Sequence, residues 1–324
     1  MTQSCTAALE MAAILFDLGP SDEVIMPSYT FVSTANAVVL RGGVPIFVDI
    51  RRDTLNIDES KIEAAISPRT KAIFVVHHAG VPCEMDSINA IARRHGLLVV
   101  EDAAQALLST YRGRPVGGLG DLGCFSFHAS KKVISGEGGA LVTTRENFAA
   151  RAHIIWEKGT NRRSFLQGQV DKYTWVDVGS SFLPSELTAA FLAAQLEQAE
   201  ALTQDRLTTW NYYHAAFEEL EARGIVTRPV VPAHVTHNGH LFYLVLDNEA
   251  TREAVIANLN AAGITAPFHY VPLHSSPAGR RFGRTSGTLQ ITDHVASRLL
   301  RLPLWDKMGD KAMRVADALV GMLW

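Results

Sequence analysis

The apolar positions in the first half of the chain fall into short continuous runs, separated by segments in which apolar residues recur at helical spacing. The runs predict strands at residues 23–27, 44–48, 71–76 and 97–100, and the segments around them predict helices at residues 7–18, 31–40, 58–66 and 86–95. Strands that are apolar throughout, instead of alternating, are typical of a sheet covered by helices on both faces. Strand–helix–strand order with short connections therefore predicts an α/β fold with a mostly parallel, doubly wound sheet.

The pattern changes in the second half of the chain. The later elements predicted are a loop at residues 113–123, strands at 125–128, 140–143 and 241–246, and helices at about 185–223 and at 251–262. The long amphipathic helical segment ends the alternation of buried strands and helices, and shorter elements follow it. This change predicts a large domain at residues 1–202 and a smaller C-terminal α+β domain at residues 203–324.

Composition narrows the functional class. The chain has 324 residues, of which 47% are hydrophobic, and its net charge of 30 − 33 = −3 provides no basic field for binding nucleic acid. The cysteines (Cys5, Cys83 and Cys124) are odd in number and far apart, which argues against a disulfide framework or a cysteine-rich metal site and fits a reducing compartment. No run of ~20 apolar residues is present, and the helix at 7–18 contains Glu10 and follows no basic residue. These features predict a cytoplasmic protein without a signal peptide, a membrane span or a bound metal.

Two polar residues follow predicted strands at the edge where open α/β sheets bind ligands. Asp102 comes just after the strand at 97–100, and Lys131 lies in the loop after the strand at 125–128. Together they suit pyridoxal phosphate, because a lysine can form a Schiff base with its aldehyde and a carboxylate can keep its pyridine nitrogen protonated. Each also has an ordinary interpretation: Asp102 as a helix cap, and Lys131 and Lys132 as solvated cations.

A third candidate lies at the start of the first predicted helix, where the sequence reads Ser4-Cys5-Thr6. The unpaired backbone N–H groups of a helix start attract anions, and hydroxyl groups add donors, so this start is a candidate phosphate site. A simple Ser or Thr cap is the alternative.

The histidines do not form a metal signature. His77 and His78 are adjacent, so on a strand they would point to opposite faces, and no acidic or Cys partner lies at ligand spacing. His269 and His274 are better candidates for contacting a polar ligand, although surface loop histidines are the default interpretation.

With these residues the sequence resembles the DegT/DnrJ/StrS-type nucleotide-sugar aminotransferases, which have the aspartate-aminotransferase-like fold (PLP fold type I). The resemblance runs over nearly the whole chain, through residues 4–7 (SCTA), 27–31 (PSYTF), 48–49 (VD), 77–82 (HHAGVP), 101–105 (EDAAQ), 125–128 (FSFH) with Lys131, 136–139 (GEGG) and 268–274 (FHYVPLH). Within the family, residues 26–36 and 168–175 are most similar to the dTDP-4-amino-4,6-dideoxygalactose transaminases.

The resemblance implies a role for each matching residue. Lys131 would be the Schiff-base lysine, which also moves a proton between the substrate and the cofactor. The implied cofactor-binding residues are Asp102 at the pyridine nitrogen, Gln105 near the ring hydroxyl, Phe31 on the ring face, and Cys5, Thr6 and Ser126 at the phosphate. Substrate contacts are expected from His269, Tyr270 and His274.

The family also implies a homodimer with shared active sites. Ser181 occupies the place where many members have an Asn that reaches the phosphate of the neighbouring subunit, and the segment around Ser180 and Ser181 lacks both that Asn and a basic residue common in the family. Lys132 stands where Asn is usual. It would either lower the pKa of Lys131 by repulsion or point away from it, and we expect the second. Relatives also have a segment before the phosphate-binding helix, which is expected to be missing here.

The implied activity is transfer of an amino group from glutamate to C4 of a dTDP-4-oxo-6-deoxyhexose, for a surface polysaccharide such as enterobacterial common antigen or lipopolysaccharide. One alternative is a different sugar or regiochemistry, such as a C3-amino transfer. Another is dehydration, against which Lys131 argues, since family dehydratases have His at that position. A truncated, non-catalytic relative is the third.

Overall fold

The structure, a computed structural model, describes residues 1–324. The α-helices are α1 (Cys5–Leu15), α2 (Val32–Val39), α3 (Glu59–Ile62), α4 (Met85–His95), α5 (Glu146–Trp156), α6 (Arg162–Leu166), α7 (Glu186–Glu197), α8 (Ala199–Ala216), α9 (Glu218–Ala222), α10 (Glu249–Ala261), α11 (Pro277–Phe282), α12 (Gln290–Ala296) and α13 (Lys311–Leu323). The strands are β1 (Glu23–Pro27), β2 (Val44–Val48), β3 (Thr70–Val76), β4 (Leu98–Asp102), β5 (Thr110–Tyr111), β6 (Arg114–Pro115), β7 (Leu122–Ser126), β8 (Gly139–Val142), β9 (Val226–Thr227), β10 (Val235–Thr236), β11 (Phe242–Leu246), β12 (Arg284–Thr285) and β13 (Leu299–Leu302). None of the helices has the length and hydrophobicity needed to span a bilayer.

The large sheet has seven strands in the order β12-β2-β1-β3-β4-β7-β8, six of them from the first half of the chain and β12 from the C-terminal half. All neighbouring strands in it are parallel except β8, which runs antiparallel to β7. The mostly parallel α/β sheet predicted from the apolar runs is therefore confirmed. Because the strands are parallel, β3, β4 and the neighbouring β7 end at the same edge of the sheet.

Helices cover both faces of this sheet. Val24 and Met26 of β1 pack in one apolar cluster with α1, while Ile25 between them packs on the other face with Ile88 of α4. Successive strand residues are thus all buried but belong to different cores, which explains why the strands are apolar throughout.

A smaller antiparallel sheet, with order β13-β11-β9, lies in the C-terminal part of the chain. Its core contains residues of α8, α10 and α13, including Tyr213, Leu259 and Leu319, all of them fully buried. A third, short sheet of order β10-β5-β6 pairs Val235 of the C-terminal part with Tyr111.

Local residues explain two helix ends. The Asp58 side chain accepts a hydrogen bond from the amide of Ser60 and so caps the start of α3. Gly96 ends α4 in the left-handed conformation, with φ of 64°, which glycine adopts without steric cost.

Two predictions in the middle of the chain were wrong. The segment at 113–123 is not all loop, since it contains β6 and the start of β7, and β7 ends at Ser126 instead of beginning at Phe125. Gly123 lies within β7, where the backbone of Gly117 packs directly against it. A Cβ at this position would lie 2.2 Å from the Gly117 carbonyl oxygen, which explains why the residue is glycine. Gly123 is therefore a glycine required by close packing within a strand and does not mark a loop.

The helical segment expected at 185–223 is divided into α7, α8 and α9, and α5 was not predicted. Gln198 ends α7, and neither glycine nor proline marks this break in the sequence. Leu192 and Ala199, on either side of the break, both pack against Phe127 and Val133, so tertiary packing decides where the chain turns.

Candidate active site

A cavity of about 540 Å³ lies at the carboxyl edge of the large sheet, where the small sheet packs against it. Nine of the eleven site residues predicted from the sequence line it: Cys5, Thr6, Phe31, Asp102, Gln105, Ser126, Lys131, His269 and Tyr270. They come from the starts of α1 and α2, from the ends of β4 and β7 with the chain just after each, and from the segment between α10 and α11. The parallel topology brings them together, because it places separate strand ends at one edge.

Asp102 is the last residue of β4, and its carboxylate is buried in the cavity wall. Oδ2 accepts a hydrogen bond of 2.8 Å from the Thr34 hydroxyl, and Oδ1 accepts one of 3.2 Å from the amide of Ala104. Burial raises the pKa of this carboxyl, and these hydrogen bonds and the charge of Lys131 act in the opposite direction. A cationic N–H group held against Asp102 would favour its ionised form.

Lys131 lies in the loop that follows β7, and its amine faces the same cavity. Removal from water lowers its pKa, and the nearby charge of Arg301 lowers it further, while Cys5 and Asp102 oppose the shift. A lysine amine with a lowered pKa carries its proton less tightly, and the neutral form is the nucleophile needed to attack an aldehyde.

The start of α1 forms a third wall of the cavity. The Ser4 side chain caps the helix by accepting from the amide of Ala7 at 3.0 Å, so the cap interpretation is confirmed for Ser4. The amides of Cys5 and Thr6 precede the first intrahelical acceptor and have no partner of that kind. Gly139 of β8 packs directly on this turn, where a Cβ would lie 2.4 Å from the Ser4 carbonyl carbon. The close contact fixes a helix start suited to an anion.

The opposite wall carries Gln105, Tyr270 and His269. Gln105 Nε2 donates to the Tyr270 phenol oxygen at 2.8 Å, and its Oε1 accepts from the amide of Ala79 at 2.7 Å, so the amide group is fixed in place. Burial raises the pKa of Tyr270 and lowers that of His269 to about 2, so both groups are neutral at neutral pH. Phe31 contributes a ring that is 58% exposed, at the beginning of α2.

Two predicted site residues lie elsewhere. Ser181 is exposed and bridges Glu157 in an isolated strand-like pair, and it does not line the cavity of its own chain. His274 Nδ1 lies 2.7 Å from the Ser28 hydroxyl and Nε2 lies 3.3 Å from Asp293, so this histidine joins the chain around β1 to α12.

Sequence reasoning missed two residues of this site: Thr34, which donates to Asp102, and Arg301, which lines the cavity. Thr34 orients Asp102. It lies one helical turn after Thr30, and the two hydroxyl oxygens are 2.9 Å apart. This spacing is the one sequence signal for a pair of inward-facing hydroxyls. Arg301 lines the cavity from β13, far along the chain from every motif noted above. No local signal distinguishes it from a surface arginine.

The arrangement fits pyridoxal phosphate. That cofactor has an aldehyde, a basic ring nitrogen and a phosphate dianion, and the cavity offers an amine at Lys131, a carboxylate at Asp102 and a helix start at Cys5 and Thr6. The side chains show no group of three histidines, cysteines or carboxylates that could hold a metal ion.

Comparison with known proteins also relates this chain to aminotransferases. The model of the DegT/DnrJ/EryC1/StrS aminotransferase family matches residues 1–320. The uncharacterized protein MJ1066 of Methanocaldococcus jannaschii is 37% identical over 314 residues, which are 95% of this chain and 81% of that protein. The spore coat polysaccharide biosynthesis protein SpsC of Bacillus subtilis is 36% identical over 315 residues, 95% of this chain and 80% of SpsC.

Among solved structures, the aminotransferase TlmJ from Streptoalloteichus hindustanus superposes with a TM-score of 0.91. It is 29% identical, and the similarity covers 99% of this chain and 84% of TlmJ. The likeness therefore extends over both the large and the small sheet.

Proposed function

The chain belongs to the DegT/DnrJ/EryC1/StrS aminotransferase family, and on that premise we propose that it transfers an amino group from glutamate to C4 of a dTDP-4-oxo-6-deoxyhexose. Enzymes of this family depend on pyridoxal phosphate and include sugar aminotransferases. The observation that carries the proposal is that Lys131, Asp102 and the start of α1 face a single cavity from three sides. When bound, the cofactor supplies an aldehyde that condenses with amines and a ring that withdraws electrons from the neighbouring carbon.

Lys131 is proposed to hold the cofactor through Nζ and, once the substrate amine has replaced it, to move the proton at the reacting carbon. Its lowered pKa suits both tasks, because an amine that holds its proton less tightly returns that proton more readily. Asp102 would accept a hydrogen bond from the protonated ring nitrogen and keep that proton in place. Thr34 orients the carboxylate for this contact.

The remaining cavity residues would bind and orient the cofactor. The amides of Cys5 and Thr6 and the hydroxyls of Thr6 and Ser126 would hold the phosphate, and Gln105 would lie near the ring hydroxyl. Phe31 would pack on the ring face. His269 and Tyr270 would contact the substrate, and His274 would do so only after movement, because it is held by Ser28 and Asp293.

The choice of sugar is supported by sequence and by one relative. Residues 26–36 and 168–175 resemble the dTDP-4-amino-4,6-dideoxygalactose transaminases, and the name of SpsC places that protein in polysaccharide biosynthesis. We infer that this enzyme acts in the cytoplasm and supplies an amino sugar for a surface polysaccharide.

We further propose two domains, residues 1–202 and 203–324, with the cavity between them, and a homodimer. Exposed apolar side chains near Ser181 support a covered surface there, including Trp175 at 78% exposure and Leu187 at 85%. In such a dimer Ser181, which lies outside its own cavity, would serve the cavity of the second copy.

The attachment site can be tested by loading the purified protein with pyridoxal phosphate, reducing it with borohydride and locating the added mass by peptide sequencing. We expect the cofactor on Lys131, loss of its visible absorbance in Lys131→Ala, and retention in Lys132→Ala. A visible band that survives in Lys131→Ala would overturn the assignment.

The reaction is tested by incubating the holoenzyme with dTDP-4-oxo-6-deoxyglucose and glutamate and analysing the product by mass spectrometry and NMR. An amino group on C4 supports the proposal. An amino group on C3, or loss of a hydroxyl without gain of nitrogen, would replace it with one of the alternatives.

A further inference from the structure

The turn that carries Lys131 has few backbone hydrogen bonds. Just before it, the amide of Ala129 donates to the carbonyl of Gly136 at 2.8 Å, which pairs the loop after β7 with the chain before β8. This pairing goes no further along the loop. The only backbone hydrogen bond of Lys131 runs from its amide to the carbonyl of His128, at 2.9 Å, and closes a β-turn from His128 to Lys131.

The side chain of His128 completes this turn. Its Nδ1 accepts a hydrogen bond from the amide of Ser130 at 3.0 Å, and the Ser130 hydroxyl lies 2.8 Å from the same nitrogen. Asn and Asp side chains stabilise turns in the same way, by accepting from the amide two residues on. The ring therefore fixes the residue that directly precedes Lys131.

These contacts define the protonation state of the ring. A backbone N–H group can only donate, so Nδ1 of His128 must be unprotonated, and Nε2 of the neutral ring then carries the proton. Nε2 lies 3.5 Å from Oε1 of Glu137, an acceptor on the chain before β8. The loop is thus built around one tautomer of the neutral imidazole.

Lys131 is held on both sides by its neighbours in the chain. On the C-terminal side, Lys132 Nζ donates to the carbonyl of Leu107 at 2.8 Å and to the hydroxyl of Thr203 at 2.9 Å. On the N-terminal side, the turn closed by His128 is the support. Without the ring as acceptor, the amide before Lys131 would bond to water, and one side of the lysine would lose its fixed backbone.

The other cavity histidines give Lys131 no such support. Burial lowers the pKa values of His240 and His269, and neither ring forms a hydrogen bond with the loop after β7. The His128 side chain is 46% exposed, yet both of its nitrogens contact groups of the protein. Exposed polar side chains usually bond to water, so these two contacts beside Lys131 indicate a role for the ring in this loop.

We propose that His128 is a positioning residue, whose neutral ring stabilises the turn that places the Lys131 amine beside the cofactor. This inference rests on the proposed role of Lys131 and adds the group that fixes its backbone. His128 and Lys131 line the same cavity, so a shift of the turn would move the amine relative to Asp102. Attack on an aldehyde and proton transfer both depend on this placement, since a displacement of about 1 Å can reduce a rate ~100-fold.

The test uses two substitutions at one position. His128→Ala removes the acceptor, whereas His128→Asn keeps a side-chain oxygen that can accept from the Ser130 amide but has no imidazole. The holoenzyme is mixed with glutamate alone, and the loss of its visible absorbance is followed. In His128→Ala the limiting rate should fall roughly 10- to 100-fold, with a smaller change in the half-saturating glutamate concentration. His128→Asn should recover most of the rate.

A histidine elsewhere on the surface provides the matched control. His95 Nε2 lies 2.9 Å from a carboxylate oxygen of Glu63, and His95 does not line the cavity. His95→Asn makes the same chemical change as His128→Asn, and it should leave the limiting rate and the half-saturating glutamate concentration as in the wild type.

Two further measurements observe the turn without turnover. In ¹⁵N NMR spectra of the cofactor-free protein at pH 8, the ring of His128 is identified by the signal that disappears in His128→Asn. It should carry its proton on Nε2. The rate at which the cofactor-free protein forms its visible band with pyridoxal phosphate reports how well Lys131 is placed. This rate should fall in His128→Ala and recover in His128→Asn.

Wild-type rates in His128→Ala would overturn the proposal, and so would a ring protonated on Nδ1. Equal losses in His128→Ala and His128→Asn would also overturn it, because the imidazole would then act on the substrate itself. Failure of the proposed function is a separate result, since neither the NMR nor the band formation involves a sugar. If the sugar is not aminated while His128→Asn still restores the reaction with glutamate, the sugar assignment falls and the positioning role stands.

Discussion

Lys131 and Lys132 are adjacent in the chain, but their amines lie in different parts of the protein. Lys131 faces the cavity, whereas Lys132 Nζ donates to the carbonyl of Leu107 at 2.8 Å and to the hydroxyl of Thr203 in α8 at 2.9 Å. The expectation that Lys132 points away from its neighbour is confirmed. Through these hydrogen bonds Lys132 joins the loop after β7 to α8 and to the chain that follows Gln105.

The first prediction concerns the pH dependence of stability. Burial, followed by the charge of Arg206, lowers the pKa of Lys132 from its ordinary 10.5 to about 7. Between these values the unfolded chain binds more protons at this site than the folded one, so unfolding free energy should rise with pH in that window, by at most about 1.4 kcal/mol per pH unit. Urea unfolding of wild type and Lys132→Met from pH 6.5 to 9 should show the rise in wild type and a flatter curve in the variant. Parallel curves would show that Lys132 does not titrate in this window.

The second prediction tests the buried carboxylate. Asp102→Asn keeps the shape of the side chain but cannot hold a proton on the ring nitrogen, so kcat should fall by on the order of 10²- to 10³-fold, as for other preorganised electrostatic contacts. Thr34→Val removes one hydrogen bond to Asp102 and should cost about tenfold or less.

Steady-state kinetics at saturating cofactor measures both variants. An equal loss in Thr34→Val and Asp102→Asn would mean that the orientation of this wall, and not the charge of Asp102, limits the reaction.

The third prediction tests the anion site at the start of α1. In Gly139→Ala the new Cβ would collide with the backbone of Ser4 and Cys5, at 2.4 and 2.5 Å, and backbone cannot move aside as a flexible side chain does. We expect the dissociation constant of pyridoxal phosphate to rise at least tenfold, together with a lower melting temperature. Gly118→Ala, whose Cβ meets nothing within 4 Å, is the control and should change neither quantity.

These residues also show what the sequence can and cannot predict. The parallel sheet followed from apolar runs such as 44–48, since burial on both faces leaves a local pattern, and Asp102 and Lys131 followed from their places after strands. Arg301 did not, because its place in the cavity wall depends on a contact between distant segments. The break between α7 and α8 at Gln198 was also not predicted, because the packing of Leu192 and Ala199 determines its position.

The last prediction concerns Glu101, the neighbour of Asp102 on β4, whose side chain points to the opposite face. Its carboxylate is fully buried and accepts hydrogen bonds from the amides of Gly117 at 2.7 Å and of Leu119 and Gly120 at 2.6 Å, with His77 Nε2 at 2.9 Å. It therefore ties the chain before β7 to the strand end that carries Asp102. Burial alone would raise its pKa, but His77 and the amides outweigh burial and lower it.

Glu101→Gln should destabilise the protein by about 3 kcal/mol or more, because the new NH₂ group faces two N–H donors, and both of them lose their acceptor. Since the folded pKa of Glu101 is lowered, its stabilising effect is complete above the ordinary value of 4.5 and is lost as pH falls through the folded value. Acid unfolding of Glu101→Gln should therefore be less steep than that of wild type. Glu219→Gln breaks an exposed pair with Arg223 and should cost less than about 0.5 kcal/mol. Urea unfolding at pH 7 and acid titration followed by circular dichroism measure both effects, and equal losses in the two variants would contradict the structural role of the Glu101 network.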